Sequence, residues 1–159
     1  MTEATTMDKQ VALARLTAFA GRWTGRTTLW MEPGTPPQEG DFTLTAEPAA
    51  EGEAVLVRYE GKHGDETAVG LAILGFDGDH DKAHLTWVDS FHTPKGPMVL
   101  TGALRDGVVF DVTGTWYWEG KPFGWRIEAR MPDADTLDWR MFVQMGEESP
   151  ATACTFKRA

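Results

Sequence analysis

The stretch Val11-Ala12-Leu13-Ala14-Arg15-Leu16-Thr17-Ala18-Phe19-Ala20-Gly21-Arg22-Trp23-Thr24-Gly25 changes its period part-way along. Up to Ala20 the apolar residues Val11, Leu13, Leu16, Phe19 and Ala20 fall largely on one stripe, the spacing of an amphipathic helix. Asp8 supplies an N-cap and Gly21 a stop, which predicts a helix over 8–20. From Arg22 the sequence alternates as a strand does. The chain ends in another strand-like run, 151–156, followed by Lys157-Arg158-Ala159. A short helix feeding a Gly-x-Trp strand, with a cation closing the last strand, suits the latch of a closed barrel. The Trp plugs one end and the cation stacks on its ring, a contact worth about 0.5–2 kcal/mol. Trp23 and Arg158 are the expected pair, with Lys157 in that place if the register differs by one.

Between these ends lies a train of short alternating runs. Strands are predicted at 22–31, 41–47, 53–61, 67–76, 82–90, 96–103, 107–118, 123–131, 136–145 and 151–157. Turn signals such as Pro33-Gly34, Glu51-Gly52, Gly64-Asp65, Asp77-Gly78, Asp106-Gly107 and Glu119-Gly120 separate them. No connection is long enough for a crossover helix, so neighbours should pair antiparallel. Closing such a sheet removes its exposed edges. The expected fold is therefore all-β, an antiparallel closed barrel of about ten strands with one short N-terminal helix. It forms a single domain over 1–159, with the barrel over 21–158 and residues 1–7 expected to be flexible.

Alternation also sorts the faces. Trp125, Ile127 and Ala129 share one parity against Arg126, Glu128 and Arg130; Trp139, Met141 and Val143 stand against Asp138 and Arg140. Phe110, Val112, Gly114, Trp116 and Trp118 likewise share a face. One face in the core and one in water follows, with the charges forming an exterior cross-strand ladder.

Composition narrows the function classes. A formal net charge of −9 and a pI near 4.8 repel polyanions, which argues against nucleic acid and anionic membrane as partners. The single Cys154 has no partner for an internal bridge, and the polar, acidic start does not read as a secretion signal; both point to the cytoplasm. The longest apolar stretch, 68–76, is broken by glycines and too short to span a bilayer.

Chemistry-bearing motifs are few. Trp87 and Asp89 share parity with Leu85, so an inward Trp87 brings Asp89 inward. A buried carboxylate must find donors or a cation. Its first expected role is to cap the following turn or pin the loop 90–95; the functional alternatives are a head-group contact or a general base of raised pKa. His80 and His84 are spaced for a helix but lie on a turn entering a strand. Asp77, Asp79 and Asp81 lack the glycine and glutamate that complete a calcium loop. No nucleophile elbow and no phosphate loop occur. Neither a metal nor a cofactor is expected.

The elements Leu13-x-x-Leu16-x-x-Phe19-x-Gly21-Arg22-Trp23-x-Gly25, Gly75-Phe76-Asp77, Trp87-Val88-Asp89-Ser90 and Thr101-Gly102, in that order, resemble the DUF1579 family, with Phe76 where that family usually has Tyr. The resemblance covers most of the chain. It implies a lipocalin-like, calycin-type barrel and assigns no chemistry. The chain is also similar to the haem-binding nitrobindins in its helix, its Gly-x-Trp-x-Gly opening and its strand number. Their haem iron is held by a histidine on a late strand, whereas here His63, His80, His84 and His92 all lie early, so haem binding is not expected.

Three functional readings remain. The leading one is a barrel that binds an apolar or amphipathic small molecule, with Tyr59, Trp87, Trp116, Trp125 and Trp139 as walls and Asp89 and His92 as polar contacts near the mouth. The second is a small isomerase or hydrolase using Asp89 and His92 as acid and base. The third is a structural or assembly module filled by its own side chains. An enclosed void above roughly 300 Å³ favours the first two, and a filled interior the third. The sequence leaves open whether two copies pair as a homodimer.

Overall fold

A computed structural model describes residues 7–159; residues 1–6, most of the segment expected to be flexible, lie outside the described residues. Asp8 caps α1 (Lys9–Leu16), its carboxylate accepting from the backbone N–H of Gln10 at 2.9 Å and Val11 at 3.3 Å. The chain then tightens into a single 3-10 turn, Thr17–Phe19, so the α-helix is shorter than the sequence suggests. Its buried stripe is narrower too. Ala12, Leu13 and Leu16 are covered while Val11 is 56% exposed. Gly21 opens the first strand at a φ of +134°, and a Cβ there would lie 2.7 Å from Arg158 Nη1.

Ten strands follow: β1 (Gly21–Leu29), β2 (Gln38–Ala49), β3 (Ala54–His63), β4 (Glu66–Asp77), β5 (Lys82–Asp89), β6 (Met98–Gly102), β7 (Phe110–Trp118), β8 (Lys121–Asp133), β9 (Thr136–Met145) and β10 (Glu147–Arg158). Each pairs antiparallel with the next, and β1 pairs with β10 to close the barrel. The last strand starts before the predicted 151 because a register shift between Pro150 and Thr152 absorbs one extra residue, which lets Pro150 sit in the strand. The ladder is thinnest between β6 and β7, where only Thr101 and Thr113 pair.

The two faces separate as alternation requires. Trp125, Ile127, Ala129, Trp139, Met141 and Val143 point into the core. Outside, Arg126 holds Asp111 at 3.2 Å, Glu128 at 2.9 Å and Glu148 at 2.7 Å, and its guanidinium stacks over Phe142. Two large apolar strand residues of inward parity break the pattern, and one is Met145, exposed at the β9–β10 turn. The other, Trp118, is 54% exposed, because the β7–β8 hairpin runs past the barrel rim and its tip has no opposite wall to pack on.

The helix and the chain ends close one end of the barrel. Lys9 pairs with Glu53 in the β2–β3 turn at 2.5 Å, and Arg15 donates to the Arg105 carbonyl between β6 and β7 at 3.0 Å. Trp23, 1% exposed, donates its indole N–H to the Phe19 carbonyl at 2.8 Å. In the β1–β10 register Trp23 lies opposite Arg158, not Lys157, and the guanidinium carbon sits 4.3 Å from the indole centroid. The same guanidinium donates to the carbonyls of Ala20 at 2.7 Å and Ala134 at 2.8 Å. One cation thus ties the helix, the first strand and the β8–β9 turn together. Replacing Trp23 by Ala should cost about 3–5 kcal/mol, as for a buried Trp. A fall in melting temperature on the order of 10 °C is then expected by thermal unfolding; a shift of a degree or two would contradict the plug.

Candidate functional site

At the opposite end, three neighbouring strands place one residue each in a row. Tyr59 on β3 lies opposite Gly70 on β4, which lies opposite Asp89 on β5. A Cβ at position 70 would overlap the Tyr59 ring. The glycine therefore lets Tyr59 reach across β4, where its hydroxyl donates to Asp89 Oδ2 and accepts from Trp87 Nε1 at 2.7 Å. The other carboxylate oxygen, Oδ1, accepts from the backbone N–H of Phe91 at 2.5 Å and His92 at 2.7 Å. The Asp89 backbone N–H donates to Thr93 Oγ1 at 2.7 Å. Asp89, 2% exposed, thus pins the start of the loop 90–97.

Electrostatics follow from this packing. Burial pushes the Asp89 carboxyl up, but the nearby His92, the Tyr59 hydroxyl and the His92 backbone N–H outweigh it and hold it below its usual value. His92 Nδ1 is 3.8 Å from Asp89 Oδ1, an ion-pair distance too long for a hydrogen bond. Burial, and then the adjacent Asp89, push the Tyr59 phenol well up. Burial first and His92 second bring His63 down to about 4, and burial pushes the Cys154 thiol up to about 12. At neutral pH Asp89 is thus a carboxylate, while the Tyr59 phenol, the His63 imidazole and the Cys154 thiol are neutral. A general base of raised pKa is not what these surroundings make of it.

Beside this network the inward-facing side chains leave a void of only about 30 Å³, room for about one water molecule. Its lining includes Phe42, Tyr59, His63, Asp89, His92 and Thr152. Three buried polar atoms on these residues have no hydrogen-bond partner: His63 Nδ1, His92 Nδ1 and Thr152 Oγ1. Trp125 Nε1 is a fourth, on an indole whose centroid lies 5.3 Å from the His92 ring. A hollow of about 930 Å³ lies on the other face of the same strands, over the outward-facing Thr43, Arg58, Glu60, Val69 and Val88, and it also borders Tyr59, Gly70 and Asp89. It is an outer groove, not the lumen.

Of the residues singled out in sequence, Tyr59, Asp89, His92 and Trp139 border the interior void. Trp87 and Trp116 do not; they pack on Trp125 with centroids 5.9 and 5.4 Å away, forming an aromatic block behind His92. Trp116 also donates its indole N–H to the His92 carbonyl at 3.0 Å. Three contributors escaped sequence reasoning. The parity of Val55, Val57 and Tyr59 does place His63 inside, a signal present but unused. Gly70 carries no signal without its register, whereas the shared parity of Thr152, Cys154 and Phe156 does place Thr152 inside, a second signal present but unused. At the helix end, Asp77 closes its own turn by accepting from the backbone N–H of Asp79 and His80 and contacting His80 Nδ1 at 2.7 Å. Among the described residues no group of three or more metal-ligating side chains converges, and no helix is long and apolar enough to cross a membrane.

The family model described as "Protein of unknown function (DUF1579)" matches residues 9–158. The chain belongs to DUF1579. Its fold is shared with Rv2717c from M. tuberculosis, at a TM-score of 0.65 and 15% identity over 96% of this chain and 99% of that one. The S-type phycobiliprotein lyase CPES from Guillardia theta is similar at a TM-score of 0.60 and 12% identity, covering 96% and 98%. Among curated proteins, none matches the chain by sequence. At these identities the two solved structures show that the DUF1579 barrel has a lipocalin-like fold and carry nothing further.

The buried His63 makes stability depend on pH. Folded it titrates near 4, whereas its ordinary value is 6.5. Between those values the unfolded chain holds a proton that the folded chain lacks, so stability falls as pH drops from 6.5 towards 4. The lowered Asp89 acts in the same direction, but below its ordinary 3.8. His63→Phe should flatten the decline between pH 6.5 and 4 in urea unfolding; a variant with the wild-type slope would contradict this placement of His63.

Proposed function

We propose that this DUF1579 barrel binds an apolar or amphipathic small molecule, its polar end held where Tyr59, His63, Asp89 and His92 meet. The supporting observation is the cluster of unpartnered atoms, His63 Nδ1, His92 Nδ1 and Thr152 Oγ1, on residues that border one interior void. Leaving a buried polar atom unsatisfied costs about 1–3 kcal/mol. Such atoms are kept where a ligand or an ordered water satisfies them. Entry fits the thin β6–β7 seam beneath the loop 90–97. There the Trp116 indole, hydrogen-bonded to the His92 carbonyl, stitches the loop to β7. Displacing that loop makes room for the body of a ligand, which the void alone does not.

One observation favours the filled structural module instead: the void is about 30 Å³, far below the ~300 Å³ of an ordinary ligand pocket. Binding of N-phenyl-1-naphthylamine, a neutral fluorescent probe, separates the two. On the binding reading it quenches indole emission saturably, and Trp116→Phe speeds association about fivefold by removing one hydrogen bond of about 1 kcal/mol. No saturable binding, in the wild type or the variant, favours the filled module.

A further inference from the structure

We infer that the head group accepted at the interior void is uncharged, a hydroxyl or carbonyl, and that carboxylate and quaternary ammonium heads are refused. This rests on the small-molecule reading above and specifies its ligand class. The argument is one of charge inventory. Among the described residues no Lys or Arg is buried, so a carboxylate entering the lumen meets no compensating cation. It meets instead the Asp89 carboxylate, which borders the same void. A cationic head fares little better. Asp89 attracts such a charge, but a quaternary ammonium carries no N–H to give the unpartnered atoms, and about 30 Å³ holds a single oxygen rather than a trimethylated nitrogen.

What the void offers apart from the Asp89–His92 pair is unspent. Thr152 Oγ1 can donate or accept, and so can His63 Nδ1 according to tautomer. These are the partners a hydroxyl or carbonyl oxygen needs, and about 30 Å³ is the room that one such oxygen occupies. The apolar tail would leave towards Phe91 and the β6–β7 seam.

Three amphiphiles of equal chain length test this: 1-decanol, decanoate and decyltrimethylammonium, each titrated at pH 7.5 against the full chain carrying N-phenyl-1-naphthylamine. Decanol should displace the probe at least tenfold more tightly than either charged compound. Thr152→Val should weaken decanol at least threefold without lowering the unfolding midpoint, since it removes a hydroxyl that has no hydrogen-bond partner in the protein. Decanoate or the ammonium binding as well as decanol overturns the head-group inference. So does an unchanged decanol affinity in Thr152→Val, and so does failure of all three amphiphiles while the probe itself binds. Failure of the probe as well overturns the small-molecule reading beneath it.

Discussion

A carboxylate inside a barrel of apolar side chains must be given donors, and the end of this molecule away from the helix is organised around that requirement. Asp89 receives a phenol from β3 and two backbone N–H groups from its own loop. The phenol reaches it only because position 70, on the intervening strand, is glycine. Trp87 then donates to the phenol, which fixes the indole against which Trp125 packs. Remove the carboxylate and the loop, the phenol and the indole all lose their anchor.

The two barrel ends solve different problems. At the helix end an aromatic ring and a guanidinium shut the lumen, and the polar atoms of Trp23 and Arg158 find backbone carbonyls. At the loop end polar atoms on His63, His92 and Thr152 are left over. A module whose only task was to be stable would gain by replacing them with apolar groups of the same shape. That asymmetry, more than the size of the void, is what the binding proposal rests on.

Much of this was legible in the chain, for reasons that can be named. Period-two runs such as Trp125-x-Ile127-x-Ala129 fix strand, face and barrel together, since a slip of one residue would expose the whole set. Trp23 and Arg158 were readable because they lie beside the chain's punctuation, the Gly21 entry and the C-terminal run. The parity of Leu85, Trp87 and Asp89 put the carboxylate inside. What stayed hidden depends on neighbours that are remote in sequence. The row Tyr59–Gly70–Asp89 needs two strand registers, and the exposure of Trp118 needs the barrel's height. Whether seven Trp line a cavity or fill it is likewise a matter of packing, and Trp87, Trp116 and Trp125 stack on one another.

Native mass spectrometry of the protein purified from its own cells addresses the central claim most directly. A binding barrel should show, beside the 17.6 kDa chain, a species heavier by one neutral small molecule that is lost on mild collisional activation. The bare chain alone, with nothing taken up from a total lipid and metabolite extract, would contradict it.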